Sequence, residues 1–203
     1  QQKGGYKVHL DLALHGSDTT LFINQSYKAD AEIAKWLTNA DFRRALSMGI
    51  DRKQLNETFW LGIGTPGSVA PSVQMPQSPG HEYRDKWSKL DIAKANQLLD
   101  SIGLSKKDAE GYRVRTDNGE RLRIQIQAVK ALLPWPQQGE MIAEQWRKIG
   151  IQADVREMER TLATTRSHIP ASAPKSTPPL TFGQEMLTST PTIELTPDSI
   201  AVL

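Results

Sequence analysis

The sequence predicts an α/β lobe built on a mixed sheet, followed by a largely irregular C-terminal tail. Three observations predict it. Apolar and polar residues alternate at several places, the period of a half-buried strand. Amphipathic helical stretches lie between them, and one ends at Gly150 with a strand directly after it, the order found where a helix packs back on a sheet. Composition then changes near residue 160: from Arg160 to Leu203, 20 of 44 residues are Ser, Thr or Pro.

The elements follow in order. Tyr6, Val8, Leu10, Leu12 and Leu14 alternate with Lys7, His9, Asp11 and Ala13, which predicts a strand with one buried face. Gly16-Ser17-Asp18 is a turn, and Thr20–Asn24 a short apolar strand, so the two pair as a hairpin or lie in one sheet. Asp30–Leu37 is helical, with Ile33, Ala34 and Leu37 on one side. Asn39 caps a helix over Ala40–Met48, where Phe42, Ala45 and Leu46 recur at helical spacing, and Gly49 closes it. Asp51 caps Arg52–Trp60.

Residues 62–81 contain four glycines and four prolines and form a long irregular loop. A helix from Leu90 or Asp91 carries Ile92, Ala95, Leu98, Leu99 and Ile102 on one face and stops at Gly103. Tyr112–Arg115 and Arg121–Val129 flank Thr116-Asp117-Asn118-Gly119, a hairpin whose Asn-Gly suits a type I′ turn. Gln137–Ile149 is an amphipathic helix, and Ile151–Val155 a strand.

The boundary is placed at residue 159, with 1–159 as the lobe and 160–203 as the tail. Prolines at 170, 174, 178, 179, 191 and 197 forbid long helices there. Two readings of the tail stand: disorder, or short strands at Leu180–Phe182 and Thr192–Leu195 that need partners absent from the chain.

Composition excludes several kinds of chemistry. The 203 residues include no cysteine, so disulfides, zinc–thiolate sites, iron–sulfur clusters and thiol nucleophiles are excluded. Lys and Arg number 25 against 23 Asp and Glu, a net charge of +2 that provides no broad field for nucleic acid or anionic membrane. No apolar run approaches the roughly 20 residues of a membrane helix. The opening Gln1-Gln2-Lys3-Gly4-Gly5 has neither an initiator methionine nor an apolar stretch, so a processed or truncated chain is expected.

The sequence shows no catalytic or metal-binding constellation. His9, His15, His81 and His168 are scattered, none at metal-ligand spacing, and His9 sits on the polar side of its strand. Gly62–Gly67 resembles a phosphate loop only faintly, without the preceding strand or the closing Gly-Lys-Ser/Thr. Glu140 and Glu144 share a helix face, but Glu144 can pair with Lys148. Arg43-Arg44 and Arg113, Arg115, Arg121 and Arg123 are interleaved with acids, as in a solvated face or cross-strand pairs. Trp36 and Trp146 lie on helices and suit the core; Trp60 and Trp135 flank loops and serve either the core or a ligand cleft.

Six segments then resemble one family. Leu37–Arg52, reading LTNADFRRALSMGIDR, resembles the "vRqAl..AiDR" stretch of family 5 extracellular solute-binding proteins, the dipeptide/oligopeptide-type receptors of ABC importers. Leu21–Asn24 resembles their "l.fN" strand, and Gly64-Thr65-Pro66 with Val69-Ala70-Pro71 their "G.a....P" loop. Leu90–Gly103, Asp117-Asn118-Gly119 and Ile142–Ile151 resemble "d..kAk.lLd..G", "dG.p..l.i" and "i...l.kiGI". The similarity runs over residues 20–155 and stops near Arg160.

The resemblance implies one lobe, mostly the second, of a two-lobe periplasmic-binding-protein-like fold that closes on a ligand. It implies reversible capture of a peptide, oligosaccharide or similar small solute, a periplasmic location, and an importer permease as partner in the intact parent. It implies no catalysis, no cofactor, no resident metal, no nucleic acid and no direct membrane insertion. Asn24, Trp60 and Trp135 are the residues expected at the ligand. The competing expectation is a truncated, non-transporting α/β interaction module with a disordered tail.

Overall fold

The computed structural model describes residues 19–71, 73, 75–129, 133–159 and 161, with the backbone of 179–183 and 200–201. The strand expected over residues 6–14 and the segment Thr192–Leu195 lie outside the described residues.

The N-terminal third is β1 (Thr20–Ile23), α1 (Ala31–Thr38), α2 (Ala40–Met48) and α3 (Arg52–Trp60). Each helix starts on a polar cap of its own. Asp30 accepts from the N–H groups of Glu32 and Ile33, both at 3.0 Å. Asn39 ends α1 and starts α2, accepting from Asp41 and Phe42 at 2.9 and 3.1 Å. Asp51 accepts from Gln54. Ile33, Trp36, Leu37, Phe42, Ala45 and Leu46 form the buried stripe of the first two helices.

Gly49 does end α2, but not by a left-handed turn: its φ is −77°. A Cβ there would lie 2.9 Å from Ile149 Cδ1 and 3.1 Å from Trp146 Cδ1. The glycine is present because another helix end approaches closely. At the end of α3 the left-handed residue is Leu61, φ +53°.

The long loop contains a short helix not expected from sequence, α4 (His81–Asp85). Side chains fasten the loop down. Asn56 bonds Gly64 in both directions, at 2.8 and 2.9 Å. The buried Arg52 donates to the carbonyls of Ser47 and Ser88. α5 (Ile92–Ser101) follows and ends on Gly103, here with φ +101° as expected.

The hairpin is present, but its turn is different. Among its loop residues only Gly119 has positive φ, +73°, so the type I′ turn, which needs two, is not formed. Arg115 N–H closes the loop onto Glu120 O at 2.7 Å. Arg113, expected on a solvated face, is fully buried. It donates to Ile149 O, Asp100 Oδ1, Asn96 Oδ1 and Leu104 O, joining α5 and the hairpin to residue 149.

β2 (Arg123–Val129), α6 (Trp135–Arg147) and β3 (Gln152–Met158) form a parallel β–α–β unit. The sheet order is β3-β2-β4-β1-β5, with β4 (Pro179–Gly183) and β5 (Ile200–Ala201). β4 runs parallel to β2 and antiparallel to β1. The boundary expected at residue 159 is therefore crossed by the sheet: a strand from the Pro/Thr/Ser-rich stretch sits between β1 and β2, and its partners belong to this chain. β4 is a central strand, and its Pro179 stands at the first position, where a missing N–H costs least. α6 covers one face of the sheet, and a Cβ on Gly139 would meet Val155 and Ile126 at 3.3–3.5 Å.

Candidate functional site

Register decides which of the expected residues can meet. β1 is antiparallel to its neighbours, so Ile23 is level with Leu180 and Ile126, and Thr20 with Gly183. Asn24, one residue past Ile23, is therefore level with the first residue of β4, toward the amino-terminal end of the parallel strands. Trp135 follows β2 and lies at their carboxyl-terminal edge. The two levels are separated by four strand residues, roughly 13 Å. Asn24 and Trp135 are not brought together.

Each has local work. Asn24 accepts from Ser26 N–H at 3.0 Å, an Asx turn leaving β1. Trp60 is half-buried at the end of α3, edge-on to Phe59 with ring centroids 6.1 Å apart. Among the described residues, no ring contact or hydrogen bond links Trp60 to Asn24 or Trp135. Trp135 is not in a loop. α6 begins two residues earlier than the periodicity suggests, because Pro136 fits the first turn of a helix. Trp135 is thereby placed on the helix's buried stripe, 6% exposed.

That stripe contains the residue sequence reasoning missed. Gln138 is 0% exposed, one turn beyond Trp135. Among the described residues, neither Oε1 nor Nε2 of Gln138 has a hydrogen-bond partner, and neither does Trp135 Nε1. The signal was available: a polar residue at i+3 from a tryptophan on a stripe that continues through Ile142 and Trp146. Thr20, Gln127 and Met158 are buried at the same sheet edge, at 2%, 4% and 4% exposure.

Arg156, Glu157 and Glu159 at the end of β3 are exposed, and the paired charges that serve the fold lie elsewhere. Hydrogen bonding to Arg115 holds the Asp30 carboxyl below its ordinary value and brings Asp117 down to about 2. Arg115 contacts Asp30 and Asp117 at 2.6 Å each, joining the hairpin to α1. Burial pulls Arg52 down to about 9. Glu144 pairs with Arg147 at 3.2 Å, not with the expected Lys148. With Glu140 and Asp154 this pair lines an open groove of about 410 Å³ between α6 and β3. Among the described residues no three His, Asp or Glu side chains are placed to hold a metal ion, and no helix is long and apolar enough to cross a membrane.

The arrangement has the materials of recognition: uncharged donors and an acceptor at the edge where parallel strands end, beside a helix N-terminus. In open α/β sheets that edge is where ligands sit.

Known proteins share this architecture. The family described as bacterial extracellular solute-binding proteins, family 5 Middle, matches residues 1–184. The match extends past Arg160 and includes β4, further than the resemblance over residues 20–155. A periplasmic alpha-galactoside-binding protein from Rhizobium meliloti (strain 1021) is 30% identical over 115 residues, 53% of this chain and 15% of that protein. Among solved structures, the oligopeptide-binding protein OppA superposes with a TM-score of 0.73 at 30% identity, over 81% of this chain and 25% of that one. AppA from Bacillus subtilis, solved with a nonapeptide, superposes with a TM-score of 0.60 at 18% identity, over 78% of this chain and 29% of that one, and shows the fold alone. The chain thus spans between about a seventh and three-tenths of these proteins' length.

Proposed function

We propose a function from one premise: the chain belongs to the bacterial extracellular solute-binding proteins of family 5. It forms one wall of a cleft in a receptor that captures a peptide, an oligosaccharide or a similar small solute outside the cytoplasmic membrane. The receptor passes the solute unchanged to the permease of an ABC importer. Periplasmic residence follows from the same premise.

The observation that carries this reading is the buried, uncharged polar set at the carboxyl-terminal edge of β2 and β3, with no acid–base pair among its members. Trp135 stands at that edge; of the three residues expected at a ligand, it has the best claim. Asn24 and Trp60 would contribute only from beyond it. The names of two relatives support the two solute classes, an alpha-galactoside for one and an oligopeptide for the other.

Such receptors hold a solute by burying it between two walls. This chain supplies a single wall, so its own affinity is expected in the millimolar range. Calorimetric titration with a trisaccharide α-galactoside and with a tripeptide tests this, with mass spectrometry of the recovered solute. Weak saturable binding and an unaltered solute are expected. Conversion of the solute would refute recognition as the function, and micromolar binding would refute the single-wall argument.

A second reading has one observation in its favour. Leu61 and Ile63, at the tip following α3, are 83% and 84% exposed. Apolar tips of this kind suit a protein interface, and an interaction module would use them. Replacing both with Ser separates the readings: solute binding is retained under the first, and partner binding is lost under the second.

A further inference from the structure

We propose that Trp135 and Gln138 form a hydrogen-bonding subsite for the hydroxyl groups of an uncharged oligosaccharide. The proposal rests on the solute-binding reading above and names the solute class it favours.

The observation is a contrast within one helix. The buried stripe of α6 carries two tryptophans and two glutamines, Trp135 and Gln138 at one end, Gln145 and Trp146 at the other. At the far end every polar side-chain atom has a protein partner. Gln145 Oε1 accepts from Asp51 N–H at 2.9 Å, its Nε2 donates to Gln54 Oε1 at 2.9 Å, and Trp146 Nε1 donates to Leu46 O at 2.9 Å. At the near end the same two residue types, also buried, have none among the described residues. Burying a primary amide unpaired is destabilising, and folded proteins keep few of them. A leucine at 138 would continue the stripe. The amide is therefore retained for a partner that is not in the fold.

The place agrees. This end of α6 is its N-terminus, capped by Pro134 with no side-chain hydrogen bond, at the carboxyl-terminal edge of the parallel strands. Buried polar side chains without a partner beside such an edge are suited to a solute.

The chemistry selects the solute. The subsite has two donors, Trp135 Nε1 and Gln138 Nε2, one acceptor, Gln138 Oε1, and no charge. Adjacent sugar hydroxyls each donate and accept, so one amide can accept from the first and donate to the second while the indole N–H bonds a third oxygen. A peptide terminus would need a countercharge beside the buried pair, and the ionic residues described at this edge, Glu140 on α6 and Arg156, Glu157 and Glu159 at the end of β3, are all exposed. Peptide side chains would need an apolar pocket, but the Trp135 ring is already packed in the core.

The test uses the full chain, labelled with ¹⁵N. The Gln138 side-chain amide and Trp135 indole signals are assigned by loss in Gln138→Leu and Trp135→Phe, then followed during titration with the trisaccharide raffinose and with a blocked tripeptide. Raffinose is expected to shift both signals, and Gln138→Leu to weaken its binding about tenfold. The same variant is expected to unfold at a higher urea concentration than the parent, because it removes an unpaired buried amide. Gln138→Met serves as a second apolar variant. Raffinose shifts confined to other residues overturn the subsite and leave the receptor reading intact. Shifts of the pair by the tripeptide alone overturn the sugar assignment. A lower unfolding midpoint in both apolar variants shows that the amide is satisfied by bound water and also overturns the proposal. No response anywhere to either solute refutes the receptor reading itself.

Discussion

Replacing Gly49 by Ala is expected to destabilise the chain, although the residue sits in helical backbone where Ala is ordinarily better. Two effects oppose. With φ −77° and ψ −5° the position is open to any L-residue, and Ala gains about 1 kcal/mol over Gly there from helix propensity and unfolded-state entropy. Against this, the new Cβ meets Ile149 Cδ1 at 2.9 Å, Trp146 Cδ1 at 3.1 Å and Leu46 O at 3.3 Å. Trp146 cannot retreat, because its indole N–H is bonded to Leu46 O and it is 0% exposed. Overpacking of this kind costs about 1–3 kcal/mol, so the net is a loss of about 1 kcal/mol or somewhat more. Urea unfolding followed by tryptophan fluorescence reads it. The decisive comparison is Ile149→Val, which deletes the methyl at 2.9 Å. Alone it costs about 1 kcal/mol as a small cavity. Combined with Gly49→Ala it should cost less than the sum, with a coupling of at least about 0.5 kcal/mol. Strict additivity, or a more stable Gly49→Ala chain, would refute the close-approach reading.

Three more outcomes are expected. Arg113→Met leaves Asp100, Asn96 and the carbonyls of Ile149 and Leu104 without their common donor, and a loss of about 3 kcal/mol or more is expected in the same unfolding assay. Gln145→Leu removes the acceptor of Asp51 N–H and the partner of Gln54; an unfolding loss of about 1–2 kcal/mol is expected, opposite in sign to Gln138→Leu on the same stripe. Acid acts through Arg115: its bonded carboxylates Asp30 and Asp117 lie below the ordinary 3.8, Asp117 at about 2. Groups with depressed folded values stabilise above the unfolded pKa and lose that contribution as pH falls through the folded one. Stability should therefore decline between about pH 4 and pH 2, less steeply in Arg115→Gln, as read by thermal unfolding at each pH.

Local elements were legible in the sequence because their signals are local. Asn39 and Asp51 cap the helices assigned to them, and Asp30 and Asp91, read as helix starts, are the caps of theirs, since a cap needs only its own first turn. β1, β2 and β3 also stand where the apolar pattern of their own residues put them, but the observed partners of β1, β4 and β5, come from the stretch read as tail. What was not legible depends on residues distant in sequence. The burial of Arg113 is decided by acceptors from positions 96, 100, 104 and 149, each of which looks ordinary alone. Gly49 reads as a helix stop until α6 is placed over it. Composition marked the stretch after residue 160 as tail, and composition cannot show that five of its residues form a strand between β1 and β2. The site suffered most. Asn24 and Trp135 looked equally suited to a cleft, and only the antiparallel sense of β1 separates them.

α6 joins these strands of argument. Its C-terminal half is bonded to α2 and α3 through Trp146 and Gln145, so the helix cannot shift when something binds at its other end. Its N-terminal half presents the same two side-chain types with nothing to bond. A receptor wall needs both properties at once. Polar atoms held rigid before the solute arrives lose little entropy on binding it, so even a few hydrogen bonds contribute a useful share of affinity. Had Gln138 been free to turn to solvent, its amide would be hydrated and the gain on binding small. Buried without a partner, it makes the unbound state less stable than it could be, and a solute that opens the way to it recovers that difference.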